Sequence, residues 1–272
     1  MTQPDLTPPG PGAAAGGGPV LQVRAVRKDY GGLRAVADVS FEVGAGEVLG
    51  IAGPNGAGKT TLFDVISGHT HATAGEVLLA GRPVTTAPVH ARTRLGLART
   101  FQQPTVARSL TVGENMLLAA AFGRPRAERR RATREIAAEY LELVGLAGQA
   151  GERSDLLGVY DRKSLMLGTA LATRASAILL DEPFGGLSPS EIDQTIELIG
   201  KVRDRGLAVV CIEHVMRALT AVADRVMVMH HGATLFQGTP AQMLADQQVI
   251  EVYLGARHRK DGGAGGAGGA GA

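Results

Sequence analysis

The chain has 272 residues, 44% of them hydrophobic, which is enough to bury the core of one large α/β domain and too little for a multidomain fusion. Its formal charge of +2 gives no bulk electrostatic reason to bind nucleic acid or anionic lipid, and no apolar run approaches the roughly 20 residues needed to cross a bilayer. A lone cysteine, Cys211, excludes an internal disulfide, and Pro and Gly stand near the start where a signal peptide has an apolar stretch, so the chain is expected in a reducing cytosol.

Residues 1–18 are rich in Pro, Gly and Ala and carry nothing that would offset ordering entropy, which predicts a flexible tail ahead of a domain over 19–256. Leu21 to Val26 and Ser40 to Val43 read as strands of an antiparallel portion, and Val48 to Ala52 as a buried strand. That third strand runs into Gly53-Pro54-Asn55-Gly56-Ala57-Gly58-Lys59-Thr60, followed by a helical run from Thr61 to Ile66. Strand, glycine-rich loop, Lys-Thr and helix in this order make a P-loop. Glycines let the backbone wrap a phosphate chain and aim N–H groups at it, and the helix N-terminus adds positive potential. Lys59 would reach the β- and γ-phosphates, and Thr60 would ligate Mg²⁺.

Val77 to Ala80 reads as another strand, after which the pattern changes. Between Thr111 and Thr173 no convincing strand occurs, while Ile136, Ala137, Tyr140, Leu141 and Val144 recur at helical spacing, so a helical subdomain is predicted over about 104–174. Arg129-Arg130-Arg131 with Arg134 is flanked by Glu128 and Glu135 and reads as a solvated helix face, not a nucleic-acid patch.

Ala177-Ile178-Leu179-Leu180 is an apolar strand ending in Asp181-Glu182, which puts two carboxylates at the C-terminal edge of the sheet, beside the P-loop. There Asp181 can hold Mg²⁺ through a water and Glu182 can polarise the attacking water. Ser188-Pro189-Ser190-Glu191 has the capping-box form and opens a helix whose stripe of Ile192, Ile196, Ile199 and Val202 would lie on the sheet. Val209 to Ile212 is a strand with Cys211 as a small buried hydrophobe, and Glu213-His214 stands at its end, so His214 can hydrogen-bond a γ-phosphate and the water. Val226 to Met229 closes the strands, Thr239-Pro240-Ala241-Gln242 opens a last helix, and 257–272 is a Gly/Ala-rich tail predicted to be flexible. The alternation argues an α/β fold: a P-loop NTPase core with a mainly parallel sheet, an antiparallel β portion and an inserted helical subdomain.

These elements together resemble the nucleotide-binding subunit of ABC transporters from about Leu21 to Gly255. The resemblance implies that Tyr30, before Gly31-Gly32, stacks on adenine, against the alternative of a tyrosine packed at a strand end. It implies that Gln102 in Arg99-Thr100-Phe101-Gln102 contacts Mg²⁺ and the attacking water, and that Gly186-Leu187-Ser188 crosses a dimer interface. Within the superfamily, Tyr30-Gly31-Gly32-Leu33-Arg34-Ala35-Val36, Leu110-Thr111-Val112-Gly113-Glu114-Asn115 and Val249-Ile250-Glu251-Val252-Tyr253-Leu254-Gly255 resemble importers of branched-chain and other hydrophobic amino acids, with urea and short-amide importers as relatives. The implied cofactors are ATP and Mg²⁺. The implied partners are transmembrane permease subunits, contacted through Leu110 to Asn115, a second ATP-binding subunit and an extracytoplasmic solute-binding protein. The implied location is the cytoplasmic face of the membrane.

One segment departs from the family. The signature usually read Leu-Ser-Gly-Gly-Gln falls at Leu157-Gly158-Val159-Tyr160-Asp161, where Gly158 lacks the serine hydroxyl and Tyr160 replaces a glycine. Val159 and Tyr160 are expected to crowd a close-approach backbone, with the following helix starting at about Arg162. In the family this segment serves the ATP of the opposite subunit, so the departure points to unequal sites and a heterodimer. A soluble ABC ATPase of ribosomes or DNA is the rival class. Such proteins resemble tandem duplications or carry long coiled-coil insertions, whereas one P-loop is present here and no heptads separate Lys59 from Leu157.

Overall fold

The computed structural model describes residues 18–122 and 129–253. Most of the two predicted tails and the arginine cluster's side chains at 129–131 lie outside the described residues. The chain opens with an antiparallel hairpin, β1 (Leu21–Tyr30) and β2 (Leu33–Val43), followed by β3 (Val48–Ala52) and helix α1 (Lys59–Ser67). Then come β4 (Ala74–Leu79), the two-residue β5 (Arg82–Pro83), α2 (Val89–Arg94) and β6 (Leu97–Arg99). Helices α3 (Val112–Ala121), α4 (Arg129–Leu143) and α5 (Val159–Ala172) fill the next stretch. The remainder alternates β7 (Ala177–Asp181), α6 (Pro189–Asp204), β8 (Ala208–Ile212), α7 (Met216–Val222), β9 (Arg225–His230), β10 (Ala233–Gly238) and α8 (Pro240–Ala245).

Two sheets result. One has the order β2-β1-β4-β5 and is antiparallel; the other has the order β10-β9-β3-β8-β7-β6, parallel except for β10 against β9. Strand residues alternate between two cores, as a period of two requires. Leu49, Ile51, Leu179, Val210, Met227 and Met229 face the antiparallel sheet and α1, while Val48, Ile178, Leu180, Val209, Cys211 and Val228 face the core shared with α3 to α7. Cys211 is buried with its thiol raised by burial, as a small core hydrophobe would be. The stripe predicted for α6 packs as expected, with Ile199 and Val202 buried and Ile192 and Ile196 partly so.

The architecture matches the predicted α/β class, and the differences lie in short or half-exposed strands. β1 and β2 are far longer than their apolar cores, and charged residues alternate along their outer faces. Neither β6, of three residues, nor β10, none of whose residues is buried, carries a periodic signal. Among the described residues between β6 and β7, only the isolated bridge Thr111 to Arg153 has extended pairing.

α5 corrects an expectation. It begins at Val159, not near Arg162, with Gly158 as its N-cap. Gly158 is extended (φ −62°, ψ 172°), and a Cβ built there meets nothing within 4 Å. No left-handed or close-approach backbone exists at that position, so Val159 and Tyr160 sit in the first helical turn without crowding.

Candidate nucleotide site

The site assembles at the C-terminal edge of the parallel sheet, where β3, β7 and β8 end side by side. From β3 the loop Gly53 to Gly58 leads into α1 at Lys59. Two of its glycines are obligatory. Gly53 (φ 146°) and Gly58 (φ 96°) have left-handed backbones, and an added Cβ would strike the carbonyl oxygens of Met229 and Ala35 respectively. The second of these places β2 against the loop, and Gly232 ties in by donating to the Ala57 carbonyl (3.1 Å) while its own carbonyl accepts from Ala37 N (2.8 Å).

Lys59 folds back over the loop: its Nζ donates to the carbonyls of Gly53 (2.7 Å) and Pro54 (3.0 Å). Burial depresses the Lys59 ammonium, and Glu182 and Asp181 oppose that shift, which places both carboxylates within electrostatic reach of it. Asn55, Gly56 and Thr60 are exposed, Pro54 and Thr61 are half-buried and Ala57 is buried.

Asp181 ends β7 with its side chain nearly buried, and Arg99 at the end of β6 donates to it (3.1 Å). The same guanidinium donates to Asp64 (2.6 Å) and Ser67 (2.9 Å) of α1. Arg99 therefore pins three elements around the loop, although sequence reasoning assigned it no role; only its position three residues before Gln102 hinted at one. Burial pushes the Asp181 carboxyl up, and Arg99 partly offsets this. Gln102 Nε2 donates to Glu182 Oε2 at 2.6 Å. His214 Nδ1 stands 3.8 Å from that oxygen and 3.6 Å from Glu213 Oε2, its ring largely exposed. Gln102, Asp181, Glu182, His214 and Lys59 thus come together from separated segments at this edge. Tyr30 ends β1 exposed, with Lys28 Nζ 4.7 Å above its ring, and does not pack into the core.

Glu213 was passed over. It is wholly buried, Oε2 accepts from His214 N (3.0 Å), and Oε1 has no partner. Burial, with Glu182 adding repulsion, raises its carboxyl above the ordinary value, against the pull of His214. Below the unfolded value both states are protonated and this group costs nothing. Between the unfolded value and the raised folded value the unfolded chain ionises while the buried carboxyl does not, so stability falls across that window and is level above it. Glu213→Gln is therefore expected to melt higher than the parent at pH 8, by about 2–4 °C per kcal/mol recovered, with the gap closing toward pH 4. Scanning calorimetry across that range checks it, and a gap independent of pH would contradict the buried charge.

Three comparisons bear on this geometry. The ABC transporter family matches residues 36–185, and the branched-chain amino acid ATP-binding cassette transporter family matches residues 233–259. The high-affinity branched-chain amino acid transport ATP-binding proteins BraF of Pseudomonas aeruginosa and LivG of Escherichia coli are 35% and 33% identical over 250 and 254 residues, covering 87% of this chain and 98% of each relative. The lipopolysaccharide export ATP-binding protein LptB of Haemophilus influenzae is 32% identical over 240 residues, 88% of this chain and 99% of that one. Among solved structures, the ATP-binding cassette MJ1267 in its ADP conformation superposes with a TM-score of 0.80 at 27% identity, covering 88% of this chain and 99% of that one.

Proposed function

Because the chain belongs to the ATP-binding subunits of ABC transporters, we propose that it powers an importer of branched-chain or other hydrophobic amino acids. Overall identity does not choose the solute, since an export subunit matches almost as well as BraF. The observation that carries the choice is the branched-chain cassette family match at 233–259, which falls on β10, α8 and the stretch beyond.

The chain is an ATPase, and its residues divide the work. Gly53 to Gly58 present backbone N–H groups to the phosphates, and Lys59 exchanges its loop carbonyls for phosphate oxygens. Tyr30, exposed at the end of β1, offers its ring to adenine. Thr60, Gln102 and Asp181 offer a hydroxyl, an amide oxygen and a carboxylate, the hard oxygen donors that suit Mg²⁺. Bound there, the ion would neutralise charge on the β- and γ-phosphate oxygens. Glu182 accepts the proton of the attacking water; with Oε2 engaged by Gln102, Oε1 is the oxygen left for that water. His214, on the free edge beside Glu182, orients the γ-phosphate.

Solute passage falls to permease subunits, with which ATP-binding subunits of ABC transporters work, and no helix among the described residues is long and apolar enough to cross a membrane. For the permease subunits' cytoplasmic helices the better surface is Leu117 and Leu118 of α3 with Phe122 just past its end, which are exposed, because Val112 and Asn115 in the predicted stretch are buried. Asn115 is committed internally, bonding Ala107, Thr111 and Ser154. Two nucleotide-binding subunits close over ATP, each site completed by the other's signature segment. Here Gly158 and Val159 at the start of α5 are exposed, where the helix N-terminus can offer backbone N–H groups for that purpose, but Gly158 supplies no hydroxyl.

The test is to purify the chain with its native membrane partners and measure ATP hydrolysis on adding solutes with the cognate solute-binding protein. Stimulation by leucine, isoleucine or valine and not by urea is expected, along with a second, different nucleotide-binding chain in equal amount. Stimulation by urea alone would move the solute, and a homodimer with full coupled turnover would overturn the heterodimer.

A further inference from the structure

We propose that Lys163 is the positioning residue of the general base, tying the backbone of Glu182 to the helix that carries the signature segment. The proposal rests on the reading of Glu182 as that base. Glu182 has a left-handed backbone (φ 48°), which an L side chain adopts only when its surroundings hold it there. The following residue is Pro183, whose ring further disfavours a compact backbone before it. On one side the Glu182 N–H donates to the Ile212 carbonyl at the end of β8 (3.0 Å). On the other, the carbonyl of Glu182 accepts from Lys163 Nζ at 2.9 Å, and the same ammonium donates to the Pro183 carbonyl at 3.2 Å. Gly185 N reaches the Glu182 carbonyl only at 3.3 Å.

The ammonium therefore clamps two successive carbonyls and fixes the peptide plane that follows the base. Orientation of that plane sets the direction of the Glu182 Cα–Cβ bond and so the place of the carboxylate. Lys163 is half-buried, and burial depresses its ammonium while Glu213 and Glu182 oppose the shift. Its position matters as much as its bonds. It lies four residues past Val159, about 6 Å along the axis of α5 from the helix start. A displacement of the signature segment, which serves the opposite nucleotide, is thereby transmitted to the base of this chain's own site.

Misplacing a catalytic group by about 1 Å costs on the order of 100-fold. Lys163→Met in the full chain should accordingly lower single-turnover hydrolysis of radiolabelled ATP by about 10- to 100-fold, with ATP affinity within about 2-fold of the parent. Lys163→Arg, which keeps charge and donors, should regain most of the rate. The decisive measurement is the double variant. Because the clamp acts only through Glu182, Lys163→Met should change the residual rate of Glu182→Gln by less than about 2-fold. A role in folding alone would lower both backgrounds equally. If Lys163→Met does not fold, Lys163→Gln runs the same cycle. A parental rate in the single variant, or equal losses in both backgrounds, overturns the proposal. A parental rate in Glu182→Gln instead refutes the reading of Glu182 and is seen separately.

Discussion

Glu182→Gln is expected to slow ATP hydrolysis by about 100- to 10,000-fold while leaving ATP binding near the parental level, because a general base contributes that much and the amide preserves its shape. The phosphate cradle is built from Gly53 to Lys59 and does not use the Glu182 side chain. Only the proton-accepting step is lost. The substitution also turns the Gln102 to Glu182 hydrogen bond (2.6 Å in the parent) into an amide to amide contact, which keeps a donor and an acceptor facing each other. Rapid-quench hydrolysis beside equilibrium binding of ATP separates the two effects. A variant turning over at the parental rate would place the base elsewhere, with the nearby His214 as the first candidate.

Lys59→Ala is expected to abolish tight ATP binding. Lys59 supplies the cation at the centre of the cradle, and removing one partner of a desolvated charge pair costs about 2–5 kcal/mol, a loss of roughly 30- to 4,000-fold in affinity. The protein is already arranged around this exchange. The Lys59 ammonium is depressed by burial and held by two carbonyls, those of Gly53 and Pro54, which release it to phosphate when the nucleotide enters. Alanine removes the cation and leaves those carbonyls without their donor, so the loop also loses its preformed shape. Titration calorimetry with ATP reads the loss directly, and near-parental affinity would refute the loop as the phosphate site.

The P-loop, the acidic pair ending β7 and the burial of Cys211 were legible in the sequence because each is local, while the missing hydroxyl at Gly158 was legible only through the family resemblance. A strand, its turn and the next helix announce themselves within about 20 residues through period, glycine and charge. The lengths of β1 and β2, the existence of β6 and β10, and the start of α5 were not legible. β1 and β2 carry charged residues in their alternation, β6 has three residues and β10 no buried one, and an extended Gly158 gives no capping side chain to mark a helix start. Which polar groups meet was decided only by tertiary structure. Arg99 and Asp181 are 82 residues apart along the chain, and Lys163 finds the Glu182 carbonyl only because α5 packs beside the end of β7. Local composition determines which elements form, but a hydrogen bond between distant segments depends on how whole helices and strands are laid against one another. Burying two cores on opposite faces of one sheet sets that arrangement, and with it the reach of Arg99, the orphaned oxygen of Glu213 and the clamp on the base.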